Sequence, residues 1–144
     1  MRLDRADIER RVPHAGAMCL LDSVLHWDSE HIVCQATAPT ADHPLARHGH
    51  VASVIAPEYA AQATAVHGAL LDAHSHPRAG VLAKLAQVDL LRADIPHDAG
   101  PLQVQAELLS REASGCLYAF EVGAAGQAIA RGRLIVAFNS GEVT

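Results

Sequence analysis

The fold turns on Ser53-Val54-Ile55-Ala56-Pro57-Glu58-Tyr59-Ala60-Ala61-Gln62-Ala63-Thr64-Ala65-Val66-His67-Gly68-Ala69-Leu70-Leu71-Asp72-Ala73. From His48 to Leu71 the only formally charged residue is Glu58. Alanine has the best helix propensity, and the run is too long for a strand, so a helix is expected over 53–73. Pro57 suits its first turn, where a missing N–H costs nothing. A helix apolar on all sides must be buried over most of its surface. One flat sheet face cannot do that, so the sheet has to curl around the helix.

The flanking sequence supplies such a sheet. Residues 19–27 and 31–38 read as strands joined at Asp28-Ser29-Glu30, and residues 39–52 as a loop rich in Pro, His and Gly. Gly80 to Arg92 reads as another strand. Leu102, Val104, Ala106 and Leu108 alternate with Gln103, Gln105 and Glu107. Cys116, Tyr118, Phe120 and Val122 alternate in the same way, as do Leu134, Val136 and Phe138. Turns at Ala113-Ser114-Gly115 and Gly123 to Gly126 join these as a meander. A short helix over 4–11, capped by Asp4 and stopped by Pro13, precedes them. The expected architecture is α+β, one domain over 1–144, with long antiparallel strands around a central helix.

Composition agrees. At 144 residues, 50% hydrophobic and 19% charged, the chain can bury its own core. It has 28 alanines against 3% aromatics, so the core is filled by many small side chains. A net charge of −5 and a single lysine, Lys84, argue against nucleic acid as a partner. Charges interrupt the N-terminus throughout, so no signal-peptide core and no membrane span are expected. Cys19, Cys34 and Cys116 are widely spaced and form no CxxC pair, as in a reduced cytoplasmic protein.

Two motifs carry a resemblance. Ile8-Glu9-Arg10-Arg11-Val12-Pro13-His14-Ala15-Gly16-Ala17-Met18-Cys19-Leu20-Leu21-Asp22-Ser23-Val24-Leu25 is similar to the "LPHRxPMLLLDRV" opening of hotdog-fold (3R)-hydroxyacyl-[acyl carrier protein] dehydratases. Pro57-Glu58-Tyr59-Ala60-Ala61-Gln62-Ala63 is similar to the "IEYMAQ" start of their central helix. The branch it resembles most is the dehydratase-like proteins of aryl-polyene and related lipid synthesis. The resemblance implies a hotdog domain, acyl thioesters on an acyl carrier protein, and a homodimer or a heterodimer with another hotdog subunit. It also implies a catalytic pair, a loop histidine and a helix carboxylate, contributed across the dimer interface.

Glu58 fits the carboxylate. By helix position alone it is a first-turn acid favoured by the helix dipole; the motif gives it the catalytic role. The family's "HFPGHPxMPG" loop places its histidine fourteen positions before the acid. Here that position is Pro44, with His43 beside it, while His48 stands ten before Glu58. His43 is the first candidate and His48 the second. The family's Pro-Gly is replaced by Ala52-Ser53. Ser53, Val54, Tyr59 and Gln62 are the implied substrate-binding residues, with packing the competing role for Gln62. His14 is expected to be structural. Arg47, Arg78, Arg92, Arg131 and Arg133 are candidates for meeting an acidic carrier protein.

Ten histidines invite a metal hypothesis. His43, His48 and His50 cluster in sequence, as do His67, His74 and His76, but neither set has a standard zinc spacing. They are read as partly exposed residues near loops and a helix end, with no metal and no cofactor expected. Dehydration is the leading activity. A hotdog acyl thioesterase and a non-catalytic hotdog partner subunit remain the alternatives.

Overall fold

The computed structural model describes residues 2–11, 19–72 and 80–138. Pro13, His14 and the rest of the opening motif over 12–18 lie outside them, as do His74, His76 and Arg78. Helix α1 spans Arg5–Glu9. The Asp4 carboxylate accepts from the Asp7 N–H at 2.9 Å, and the Asp7 carboxylate accepts from the Asp4 N–H at 3.3 Å. This reciprocal box satisfies donors that a helix start leaves unpaired. Arg5 then ties α1 to the chain ahead of the first strand, donating to the Cys19 carbonyl at 2.7 Å and the Asp22 carboxylate at 3.2 Å.

The central run is helical, with one difference from the expected 53–73. Ser53–Ile55 is a single 3-10 turn, and helix α2 occupies Ala56–Leu71. Pro57 has no N–H to donate to the Ser53 carbonyl, so Ala56 takes that acceptor with the shorter 3-10 spacing. Ala56, Ala60 and Ala63 are completely buried. Around the helix one stripe is less covered: Glu58 and Ala61 are half-buried and Ala65 is exposed. Their spacing of i, i+3 and i+7 defines a single face.

The sheet has six strands: β1 Ser23–Trp27, β2 His31–Ala36, β3 Gly80–Leu90, β4 Leu102–Glu112, β5 Gly115–Ala124 and β6 Gln127–Phe138. All neighbours are antiparallel, in the order β1-β2-β4-β5-β6-β3. The alternation read from sequence is observed in β5 and in β4 as far as Glu107; in β6 Leu134 is buried, but residues 135–138 are all partly buried and do not alternate. Leu102, Val104, Ala106, Tyr118, Phe120 and Leu134 are buried, while Gln103, Gln105 and Glu107 are exposed. The first strand begins at Ser23, not residue 19: Asp22 N–H still donates to the Gln35 carbonyl of β2 at 2.9 Å, but Leu20 N–H turns to the helix. Leu20 N–H donates to the Gln62 side chain at 2.8 Å, and the Asp22 carboxylate receives Thr37 N–H at 2.7 Å.

His67 corrects the reading of partly exposed histidines. Nine residues after Glu58, it lies on the opposite side of α2 and is completely buried. Its Nδ1 is 2.7 Å from the Tyr118 hydroxyl on β5, and its Nε2 is 2.8 Å from the Asp28 carbonyl in the β1–β2 turn. A carbonyl can only accept, so Nε2 carries the proton and Nδ1 accepts from Tyr118. Burial holds the ring below its ordinary pKa. At the end of α2, the Asp72 carboxylate opposes the helix dipole. Arg111 Nη2 offsets this by donating to it at 2.6 Å.

The sheet's two edges differ. On β1, Leu3 covers the edge through paired bonds with Val24 at 3.0 and 2.9 Å. On β3, Leu85 and Leu90 remain exposed. β3 is also bulged between Ala86 and Asp89, with Gln87 at φ 55°. Gly132 makes room for the bulge: a Cβ there would fall 2.9 Å from the Val88 Cα.

His67→Leu should cost about 2–4 kcal/mol, because it strands a buried hydroxyl and a buried carbonyl. A His pKa depressed by folding gives stability that is present above the unfolded value of about 6.5 and lost as pH falls. Urea midpoints measured from pH 7 down to pH 5 should therefore fall less steeply in His67→Leu than in wild type. Gly132→Ala should lower the urea midpoint by an equivalent of about 1–3 kcal/mol, since the clash is with backbone. An unchanged midpoint would show that the bulge yields freely.

Candidate active site

The approach to α2 is fixed by backbone pairing. Ser53 N–H donates to the Ala93 carbonyl at 2.9 Å, and Ile95 N–H donates to the Val51 carbonyl at 2.9 Å. Between them Ala52 and Asp94 form an antiparallel bridge. Ser53 is buried by this arrangement, whereas Val54 is 61% exposed. A groove lies alongside, lined by Ala52, Ser53, Val54, Leu90, Leu91 and Arg92. Ser53 and Val54 therefore share one recess. Leu90 and Leu91 are the residues that sequence reasoning missed. Their signal was two adjacent leucines at a strand end; both are exposed, Leu90 as the last residue of β3 and Leu91 just past it.

Glu58 sits in the first turn of α2, on the less covered stripe. It makes no hydrogen bond or ion pair with any described residue. It lies close in sequence to the groove-lining residues 52–54, at a helix start whose backbone N–H groups favour negative charge.

The two histidine candidates are placed differently. His48 is exposed at the tip of a tight turn, with φ 54° followed by Gly49 at φ 81°. Arg47 and His50 close that turn with bonds of 2.7 and 3.0 Å. Consecutive positive φ values are those of a type I′ hairpin. His43 is half-buried, and its Nε2 lies 3.3 Å from the Tyr59 hydroxyl. Burial lowers the His43 pKa. Burial, aided by the Asp22 carboxylate, pushes Tyr59 up to about 12. Both groups are accordingly neutral near pH 7. One helix residue turns about 100°, so Tyr59 points well away from Glu58. Within one chain, His43 is brought to Tyr59 and not to Glu58.

Tyr59 and Gln62 belong to the core, 1% and 2% exposed. The Gln62 carbonyl oxygen is taken up by Leu20 N–H. That bond joins the two motifs noted in the sequence: Leu20 from the opening and Gln62 from the helix start. Among the arginines, Arg92 lines the groove and reaches Gln127 at 3.4 Å. Arg131 and Arg133 are exposed on one face of β6, where Arg131 stands in register between Glu121 and Asp89. Among the described residues no group of three or more His, Cys, Asp or Glu could hold a metal ion. Cys19, Cys34 and Cys116 are free and buried, and burial pushes the Cys34 thiol up to about 12. No described helix is long and apolar enough to cross a membrane.

Known structures share this architecture. A chain of the dehydratase heterocomplex ApeI:P from Xenorhabdus doucetiae superimposes with a TM-score of 0.81 at 24% identity, covering 92% of this chain and 90% of that one. A hypothetical thioesterase with coenzyme A from Streptococcus pneumoniae TIGR4 gives 0.62 at 13% identity, covering 81% and 84%. Zebrafish thioesterase superfamily member 2 gives 0.65 at 13% identity, covering 94% and 95%. These likenesses establish the hotdog fold. No curated protein matches at the sequence level. A family profile, however, matches residues 6–143, nearly the whole chain, including the helix that carries Glu58: the chain belongs to the ApeP-like dehydratase family.

Proposed function

We propose that this dehydratase converts 3-hydroxyacyl thioesters, carried on an acyl carrier protein, to 2-enoyl thioesters. The setting would be polyene-type or fatty-acid synthesis in the cytoplasm. The observation that carries the proposal is Glu58: a carboxylate with no hydrogen-bond or ion-pair partner among the described residues, on the helix face that is covered least. Dehydration removes a proton from C2 and returns one to the departing C3 hydroxyl. A carboxyl group and an imidazole can divide those transfers if their environments separate their pKa values. Backbone N–H groups at the start of α2 would stabilise charge on the thioester oxygen.

His43 is the better partner for Glu58. It is half-buried against the helix, whereas His48 is solvated at a turn tip. Because His43 faces Tyr59 within its own chain, the Glu58–His43 pair would form between subunits. The open β3 edge, with Leu85 and Leu90, is suited to a second hotdog subunit. A heterocomplex is the state named for ApeI:P. Val54, with Leu90 and Leu91, would offer an apolar wall to the thioester arm beside Ser53.

Purified protein, alone and with a second hotdog subunit, should be incubated with a 3-hydroxyacyl carrier protein and followed for the 2-enoyl product. Glu58→Gln should lower turnover by about a hundredfold or more. Undiminished turnover in that variant sinks the mechanism. Free acid and free thiol in place of enoyl product would indicate a thioesterase. If turnover requires the second subunit and survives Glu58→Gln there, the chain is a non-catalytic partner. Leu90→Arg should shift the assembly toward monomer in size-exclusion chromatography, by placing charge on the β3 edge.

A further inference from the structure

We propose that Tyr59 is a positioning residue for His43, fixing the direction of its ring and so the point to which its protonated nitrogen is aimed. The proposal rests on His43 being the loop histidine of the reaction. His43 Nδ1 accepts the Leu45 N–H at 3.0 Å. A ring nitrogen that accepts cannot carry a hydrogen, so the proton of the neutral imidazole is on Nε2. Nε2–H is then the donor to the Tyr59 hydroxyl at 3.3 Å. The two rings are also stacked, with centroids 6.4 Å apart and planes inclined by 29°.

The backbone of His43 is already constrained. Its N–H donates to the Thr40 carbonyl, and its carbonyl accepts from Ala46 N–H, each at 2.9 Å. What these turns leave free is rotation of the side chain. Tyr59 limits that rotation because it cannot move itself: it is 1% exposed, on a helix enclosed by the sheet. A ring on an otherwise exposed loop is thereby referenced to the helix that carries Glu58. With Nδ1 closed by the Leu45 amide, Nε2 is the atom through which His43 meets another group. The Tyr59 hydroxyl sets where that atom points. A phenylalanine would keep the stacking and lose the acceptor.

The test uses the full-length chain, labelled with 15N-histidine, with the His43 signals assigned by their loss in His43→Gln. Wild type should show His43 protonated on Nε2, and Tyr59→Phe should keep that tautomer but shift the Nε2 signal, through loss of its bond to the hydroxyl, while retaining its wild-type circular dichroism. A wild-type ring protonated on Nδ1 overturns the proposal without needing a variant; so does an Nε2 signal left unchanged in Tyr59→Phe. With a 3-hydroxyacyl carrier protein, Tyr59→Phe should lower kcat about tenfold with KM within about twofold, as expected for a group that orients a proton-transfer residue. An unchanged kcat overturns the positioning role. Full turnover in His43→Gln removes His43 from the reaction instead, and the spectra still decide whether Tyr59 orients it.

Discussion

The structure depends on enclosing an apolar, alanine-rich helix in a sheet made by the same chain. The sheet reaches the helix closely because Ala56, Ala60 and Ala63 present almost no side chain to it. The six-stranded sheet is open, with edges at β1 and β3, and does not close around the helix. The face left over carries Glu58, Ala61 and Ala65. A carboxylate at a fully enclosed position would have to be paired or neutralised. On the remaining stripe it can stay available.

Small side chains create a second problem. A helix surfaced with alanine has few shapes to fix its rotation about its own axis, and apolar contact is non-directional. Directional contacts solve this along the length of α2. Near its start Gln62 accepts from Leu20, towards its end His67 joins Tyr118 and Asp28, and at its terminus Asp72 meets Arg111. Buried polar groups of this kind are costly unless satisfied, so each favours one rotation over its neighbours. The polar residues inside this core specify orientation more than they add stability.

Much of this was legible in the sequence. Alternation placed Leu102, Val104, Ala106, Tyr118 and Phe120 on the inner face, because a strand's period of two leaves no other choice once one face is apolar. The isolated charge of Glu58 singled it out as a candidate, since an acid in so apolar a run needs a reason. The misreadings share a cause: hydrogen bonds to distant backbone leave little trace in local pattern. Nothing near His67 announces the Asp28 carbonyl thirty-nine residues away. Nothing in residues 19–22 announces that Gln62 will take the Leu20 amide and keep that segment out of the strand. Nor could loop spacing separate His43 from His48, because the turn from Arg47 to His50 changes direction independently of the residue count.

The bond from Leu20 to Gln62 explains why the two motifs that revealed the family occur together. One motif supplies a backbone donor ahead of β1, and the other supplies the amide oxygen that accepts it, one turn beyond Glu58 on α2. If α2 turned by a single residue, Gln62 would leave Leu20 unpaired and Glu58 would swing about 100°, toward the side that Tyr59 occupies. That side is core, and an ionised carboxylate there would be unpaired and desolvated. Registration of the helix and exposure of the acid are therefore one constraint. The opening motif contributes to the site by holding the helix at the angle that keeps Glu58 on its open face.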